Sequence, residues 1–204
     1  MKITAEKITN FIEEETRRVK FGDKYLSYIK ERTKELFEKC NPYYAFEILP
    51  PEKSIYSDTK YSNAVFTLTT GLNSDENYDD YNKGLIDDII ASTLTYYVLY
   101  NLKKKLSSDN FTTGTLLTPG NMIPIEKSAE IFNIVKPDKN LININSKMIM
   151  YPGYSLNGIY LNDGKKNSEC AHCKSSKCLY KNITERMDLF IKNAGEDPAL
   201  KESL

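Results

Sequence analysis

Apolar positions along the chain change period several times, and each change marks an element. Ile8, Phe11, Ile12 and Glu15 predict a first, turn-rich segment. Tyr25, Tyr28, Ile29, Arg32, Leu36 and Phe37 recur at helical spacing until Asn41-Pro42 ends the run, so the chain reads as helical to about Cys40. The Glu and Lys residues between these positions read as a solvated face. A strand-like run, Tyr43 to Leu49, stops at Pro50-Pro51. Ala64 to Thr70 is β-branched and aromatic and ends at Gly71, which predicts a buried strand. After a polar loop from Asn73 to Asn82, the residues Leu85, Ile86, Ile89, Ile90, Leu94, Tyr97, Val98, Leu102 and Leu106 form a wide apolar stripe of helical period. This is the central helix, and Lys103, Lys104 and Lys105 sit in its last turns, where cations complement the helix dipole.

The loop Thr112 to Met122 is followed by a short helix placed from Pro124 and ended by Pro137, with Ile125, Ala129, Phe132 and Val135 inward. Two apolar runs, Leu141 to Met150 and Ser155 to Leu161, flank Tyr151-Pro152-Gly153-Tyr154. Pro presets one φ and Gly supplies a positive one, so the two runs are expected to form an antiparallel pair. After Cys178 the tail reads as one amphipathic helix with Ile183, Met187, Phe190 and Ile191 inward. Strands and helices without strict alternation indicate an α+β fold, a twisted antiparallel sheet flanked by helices. The expected division is an N-terminal helical region, residues 1–42, and an α+β domain, residues 43–204.

Composition narrows the function classes. The 204 residues carry 28 Lys+Arg against 28 Asp+Glu, and a net charge of zero argues against nucleic acid as a partner. His172 is the single histidine, which excludes an HExxH zinc protease and routes any Ser-His-Asp triad through that residue. No GxGxxG or Walker-type loop is present. The stretch Ile89 to Leu102 is too short, and with Ser92, Thr93, Thr95 and Asn101 too polar, to cross about 30 Å of hydrocarbon. The N-terminus lacks the apolar core of a signal peptide, so a cytoplasmic location and no membrane association are expected. In that compartment the 4 cysteines read as thiols or metal ligands rather than disulfides.

The sharpest local chemistry is Cys170-Ala-His-Cys173-Lys-Ser-Ser-Lys-Cys178. A CxxC turn brings two sulfurs to one ion, and Cys178 can reach the same ion; thiolates suit zinc or an Fe–S cluster. A fourth ligand would be His172, Cys40 or an open position. Unligated thiols, or a redox pair of Cys170 and Cys173, are the competing readings. Thr118-Pro119-Gly120 ahead of a helix can present N–H groups to a carboxylate or phosphate, although spacing alone reads as a plain loop. Gly158 inside a strand marks a bulge or a close approach by a ligand or by backbone. Met148 and Met150 read as packing residues.

From Thr118 to Leu161 the ordered motifs resemble the activation domain of cobalamin-dependent methionine synthase. They are Thr118-Pro119-Gly120-Asn121, the helix from Pro124, and Ser146 through Met150, Pro152, Ser155, Leu156, Asn157, Gly158 and Tyr160. Val65 to Gly71 is similar to that family's core strand, and the helix after Asp87-Asp88 to its long buried helix. Stand-alone members carry a C-terminal cluster similar to Cys170, Cys173 and Cys178. The resemblance implies a C-shaped sheet fold and a cytoplasmic role in methionine biosynthesis. In that role the domain binds S-adenosylmethionine and docks on the cobalamin domain of a methionine synthase or other corrinoid methyltransferase. There an inactive cob(II)alamin is reduced by one electron and methylated. Thr118, Pro119, Gly120, Gly158 and Tyr160 become candidate cofactor-binding residues, and Cys170, Cys173 and Cys178 candidate metal ligands.

The polar anchors differ, however. Where the family has an Arg four residues before the loop Gly, this chain has Leu116; the Tyr after that Gly is Asn121; and no acidic residue falls between Ile89 and Leu102. A zwitterionic amino acid needs partners of both signs, so weak or no S-adenosylmethionine binding is expected. The alternative function is a non-catalytic protein-interaction module with a structural Cys-bound zinc.

Overall fold

A computed structural model describes residues 4–56, 60–73, 79–165, 178, 180–181 and 183–195. It has five α-helices, α1 (Ala5–Arg18), α2 (Leu26–Lys39), α3 (Tyr81–Ser108), α4 (Lys127–Val135) and α5 (Ile183–Gly195), among the described residues. The strands are β1 (Tyr43–Leu49), β2 (Asn63–Thr69), β3 (Leu116–Leu117), β4 (Asn143–Ile144), β5 (Met150–Tyr151) and β6 (Ser155–Leu161). Four of the strands form one antiparallel sheet in the order β1-β2-β6-β3, and β4 and β5 form a separate small hairpin. The fold is therefore α+β, as the pattern of elements indicates.

Alternation along β2 and β6 gives the sheet two different faces. Ala64, Phe66 and Leu68 share a core with Tyr160 and with Val98, Leu99, Leu102 and Leu106 of α3. Val65, Ile159 and Leu161 point the other way and share a core with Ile131 of α4. The helix α3 is buried along nearly its whole length, because its first half serves another core. There Ile86, Ile89, Ile90 and Leu94 meet Ile8, Phe11 and Ile12 of α1, Ile29 and Leu36 of α2, and Ile183 and Met187 of α5. At about 1.5 Å per residue, its 28 residues extend about 42 Å, which lets one helix join the helical layer to the sheet.

Several expectations need correction. The first segment is a full helix: Ile8, Phe11, Ile12 and Glu15 lie on one side of α1, and the Thr4 hydroxyl accepts from Lys7 N at 3.3 Å as its N-cap. Glu15, which shares the period of these apolar positions, is 3% exposed. α4 starts at Lys127 rather than Pro124, and its buried residues are Ser128 and Ile131, while Ile125 is exposed. The run Leu141 to Met150 does not pair with Ser155 to Leu161. β6 lies instead between β2 and β3, where Gly158 and Tyr160 meet Phe66 and Leu116. The tail helix is present, with Ile183 and Met187 inward and Phe190 packed beside them; the side chain of Ile191 lies outside the described set.

Candidate functional site

A cleft of about 140 Å³ opens between α3 and the turn that enters β6, lined by Ser92, Thr95, Tyr96, Gly153, Tyr154, Ser155 and Leu156. Local sequence explains both walls. Asp88, Ser92, Thr95 and Tyr96 lie four, three and one residues apart, so they share one face of α3. The opposite wall is a turn held at each end. Tyr154 N donates to Leu72 O at 3.1 Å, and Tyr154 O accepts from Thr70 N at 3.1 Å and from the Thr70 hydroxyl at 3.2 Å. Gly153 N donates to Asn73 Oδ1 at 3.1 Å, and the Ser155 hydroxyl to Pro152 O at 2.6 Å; the Tyr151-Pro152 peptide is cis.

An acidic side chain, Asp88, stands beside the cleft. The Tyr154 phenol donates to Asp88 Oδ1, which joins the turn to the helix. Tyr180 stands beside them and hydrogen-bonds with Ser92. Burial pushes its phenol pKa up, the Ser92 bond opposes this, and the neighbouring Asp88 and Cys178 add to the rise. No Arg or Lys is among the lining residues. Asp88, which accepts from Tyr154 beside the cleft, can also accept from a further hydrogen-bond donor or a cationic edge.

The loop residues Thr118, Pro119 and Gly120 stay together in one tight turn after β3. Gly120 takes the positive φ of 78°. Its N–H donates to Ile123 O at 2.9 Å, while Thr118 O accepts from Asn121 N at 3.2 Å and Met122 N at 3.0 Å. The amides of Lys127, Ser128 and Ala129 at the start of α4 donate to Pro124, Ile125 and Glu126 carbonyls. The N–H groups that could have cradled an anion are therefore engaged within the loop and first helical turn.

Gly158 pairs with Phe66 in an unbroken ladder, with no bulge, and a Cβ there would lie 2.9 Å from Leu117 O. The close approach is one of backbone. Tyr160 is 1% exposed and stacks on Phe66 at 5.4 Å between ring centroids. None of these five residues is among those lining the cleft.

Of the proposed metal ligands, Cys170, Cys173 and His172 lie outside the described residues. Cys178 is half-buried, and its carbonyl accepts from Lys181 N at 3.3 Å. Cys40 follows α2 as its C-cap, and burial pushes its thiol up to about 11, so it is protonated at neutral pH. No group of three or more His, Cys, Asp or Glu placed to hold a metal occurs among the described residues. None of the helices there is long and apolar enough to cross a membrane.

Ser92, Tyr96 and Tyr154 of the cleft lining, and Asp88 and Tyr180 beside it, are not picked out as site residues by the sequence. The polar stripe from Asp88 to Tyr96 in an otherwise apolar helix was the available signal.

No family model matches this chain, and no curated protein does. Among solved structures it is similar to the crystal structure of the MetH reactivation domain bound to AdoHcy, at 14% identity and a TM-score of 0.49, over 92% of this chain and 85% of that one.

Proposed function

We propose that this chain is an activation-domain-like protein. It docks on the cobalamin-binding domain of a methionine synthase or another corrinoid protein and supports its reductive reactivation, and the cleft between α3 and β6 is part of the docking seat. One observation carries this reading. The strand and helix that hold the ordered motifs, β6 and α3, meet at a cleft whose two walls Tyr154 and Asp88 fasten together. Its contribution would be positioning: the partner's corrin is held in a fixed pose while an electron donor and a methyl donor act on it.

The cleft supports docking better than methyl donation. Among the described residues it has a carboxylate beside it and no cationic side chain in its lining, so the lining offers no ion-pair partner to the carboxylate of an amino acid head group. A metal or cluster at Cys170, Cys173 and Cys178 remains part of the proposal, as a structural zinc or an electron carrier.

Sedimentation velocity of the purified chain mixed with a cobalamin-loaded binding domain tests the reading. A complex with a dissociation constant tighter than about 50 μM, about −6 kcal/mol, is expected. Two separate boundaries at higher concentrations would overturn it and favour a zinc-holding interaction module, which elemental analysis would then identify.

A further inference from the structure

Two polar side chains stand opposite one another in the middle of the sheet, yet neither has a partner for all its polar atoms. Thr67 and Asn157 are paired residues in the β2–β6 ladder, so they leave the same face with their Cβ atoms about 5 Å apart. That face is the one α4 covers, since Val65 and Ile159, two positions along each strand, share a core with Ile131. Thr67 is 0% and Asn157 3% exposed. Thr67 Oγ1 and Asn157 Nδ2 find no hydrogen-bond partner in the protein. Across the interface, Ser128 of α4 is 2% exposed and shares the helix's inward side with Ile131. Further along β2 on the same face, Asn63 is 0% exposed and both of its side-chain polar atoms are also unpartnered.

A buried donor or acceptor left without a partner lowers the folding constant roughly five- to hundredfold, and two adjacent ones on neighbouring strands compound the loss. We propose that a water molecule is bound between β2, β6 and α4, accepting a hydrogen bond from Asn157 Nδ2 and donating one to Thr67 Oγ1. The chemistry selects the ligand. The buried polar residues of this face, Asn63, Thr67, Thr69 and Asn157, are all neutral, so an ion would have no counter-charge. Buried waters characteristically bridge such groups.

The sign of one substitution decides the matter. Thr67→Val replaces the hydroxyl with a methyl group of nearly the same shape. With the water bound, the variant removes one of its anchors, and the unfolding constant measured by urea titration rises about tenfold. If the hydroxyl is truly unpaired, removing it relieves a penalty; an equal or smaller unfolding constant overturns the proposal. A second readout needs no variant. Magnetisation-transfer spectra of the native protein should show direct cross-peaks between the Asn157 side-chain amide protons and a long-lived water, and their absence from assigned, protected amide resonances would also overturn it.

Discussion

At Gly158 an added Cβ would stand 2.9 Å from Leu117 O, 3.1 Å from Leu116 Cδ1 and 3.1 Å from the Phe66 ring. The first of these is backbone, held in the β3–β6 ladder, and cannot rotate away. Gly158→Ala is therefore expected to destabilise the fold by about 2 kcal/mol through overpacking, read as a shift in the denaturation midpoint at constant slope. The sequence showed that a glycine in this strand needed a reason. It could not distinguish a ligand from backbone, because the partner, β3, is only two residues long and leaves almost no pattern of its own. Tyr160 illustrates the same limit: an aromatic next to a candidate site is indistinguishable in sequence from one that stacks in the core, as this one does on Phe66.

Asp163 closes the other end of β6. Its carboxylate accepts from the Thr115 hydroxyl at 2.6 Å, Thr115 N at 3.1 Å and Lys165 N at 3.2 Å. Burial by itself pushes its pKa up, but these hydrogen bonds and the Lys165 charge win, and the folded value lies below the ordinary 3.8. A depressed folded value means that Asp163 contributes stability above about pH 4, and that this contribution is lost as pH falls through the folded pKa. Asp163→Asn should lower stability near neutrality. It should also flatten the loss of stability below pH 4 relative to the native protein, in urea titrations run across that range.

Among the elements, α1 and α5 come from opposite ends of the chain and are joined by a charged clasp. Arg186 Nε and Nη2 reach Glu15 Oε1 and Oε2 at 2.6 Å each, and Nη1 donates to Lys181 O at 2.6 Å. The Glu15 side chain is 4% exposed, and it also accepts from Arg18 at 3.2 Å. Arg186→Ala removes a fork of charge-assisted bonds while Arg18 still covers part of the charge, so a loss of about 2 kcal/mol is expected rather than the full penalty of an isolated buried carboxylate. Thermal unfolding measures it, and Arg186→Lys should recover only part, since an ammonium cannot reproduce the fork.

Elements with strong local pattern were readable from sequence. β1 spans the predicted run, and the stripe from Leu85 to Leu106 lies within α3. What sequence could not supply was partner choice. Glu15 shares the period of Ile8, Phe11 and Ile12, but nothing local in the sequence names its partner, Arg186, 171 residues away. The turn at Pro152-Gly153 reads as a hairpin, but β2 and β3 offer β6 a larger apolar surface than the polar run around Asn143 to Asn145 does. In α4 the buried face is set by Ser128 and Ile131 over the polar middle of the sheet, so a count of apolar residues placed it one position off.

For the whole molecule, the long helix α3 belongs to two cores at once, the helical layer at its first half and the sheet at its second. Its polar stripe faces the cleft between these attachments. The proposed docking seat there would be built on two supports, α3 and the pinned turn before β6, which suits the proposed role of holding a partner in register. The most direct test fills that seat. Gly153 is exposed and lines the cleft, so a long side chain there would occupy the seat. The dissociation constant of Gly153→Arg for a cobalamin-loaded binding domain should be at least about tenfold weaker than that of the native chain, about 1.4 kcal/mol, with an unchanged melting temperature. A variant that binds as tightly as the native protein would contradict the account.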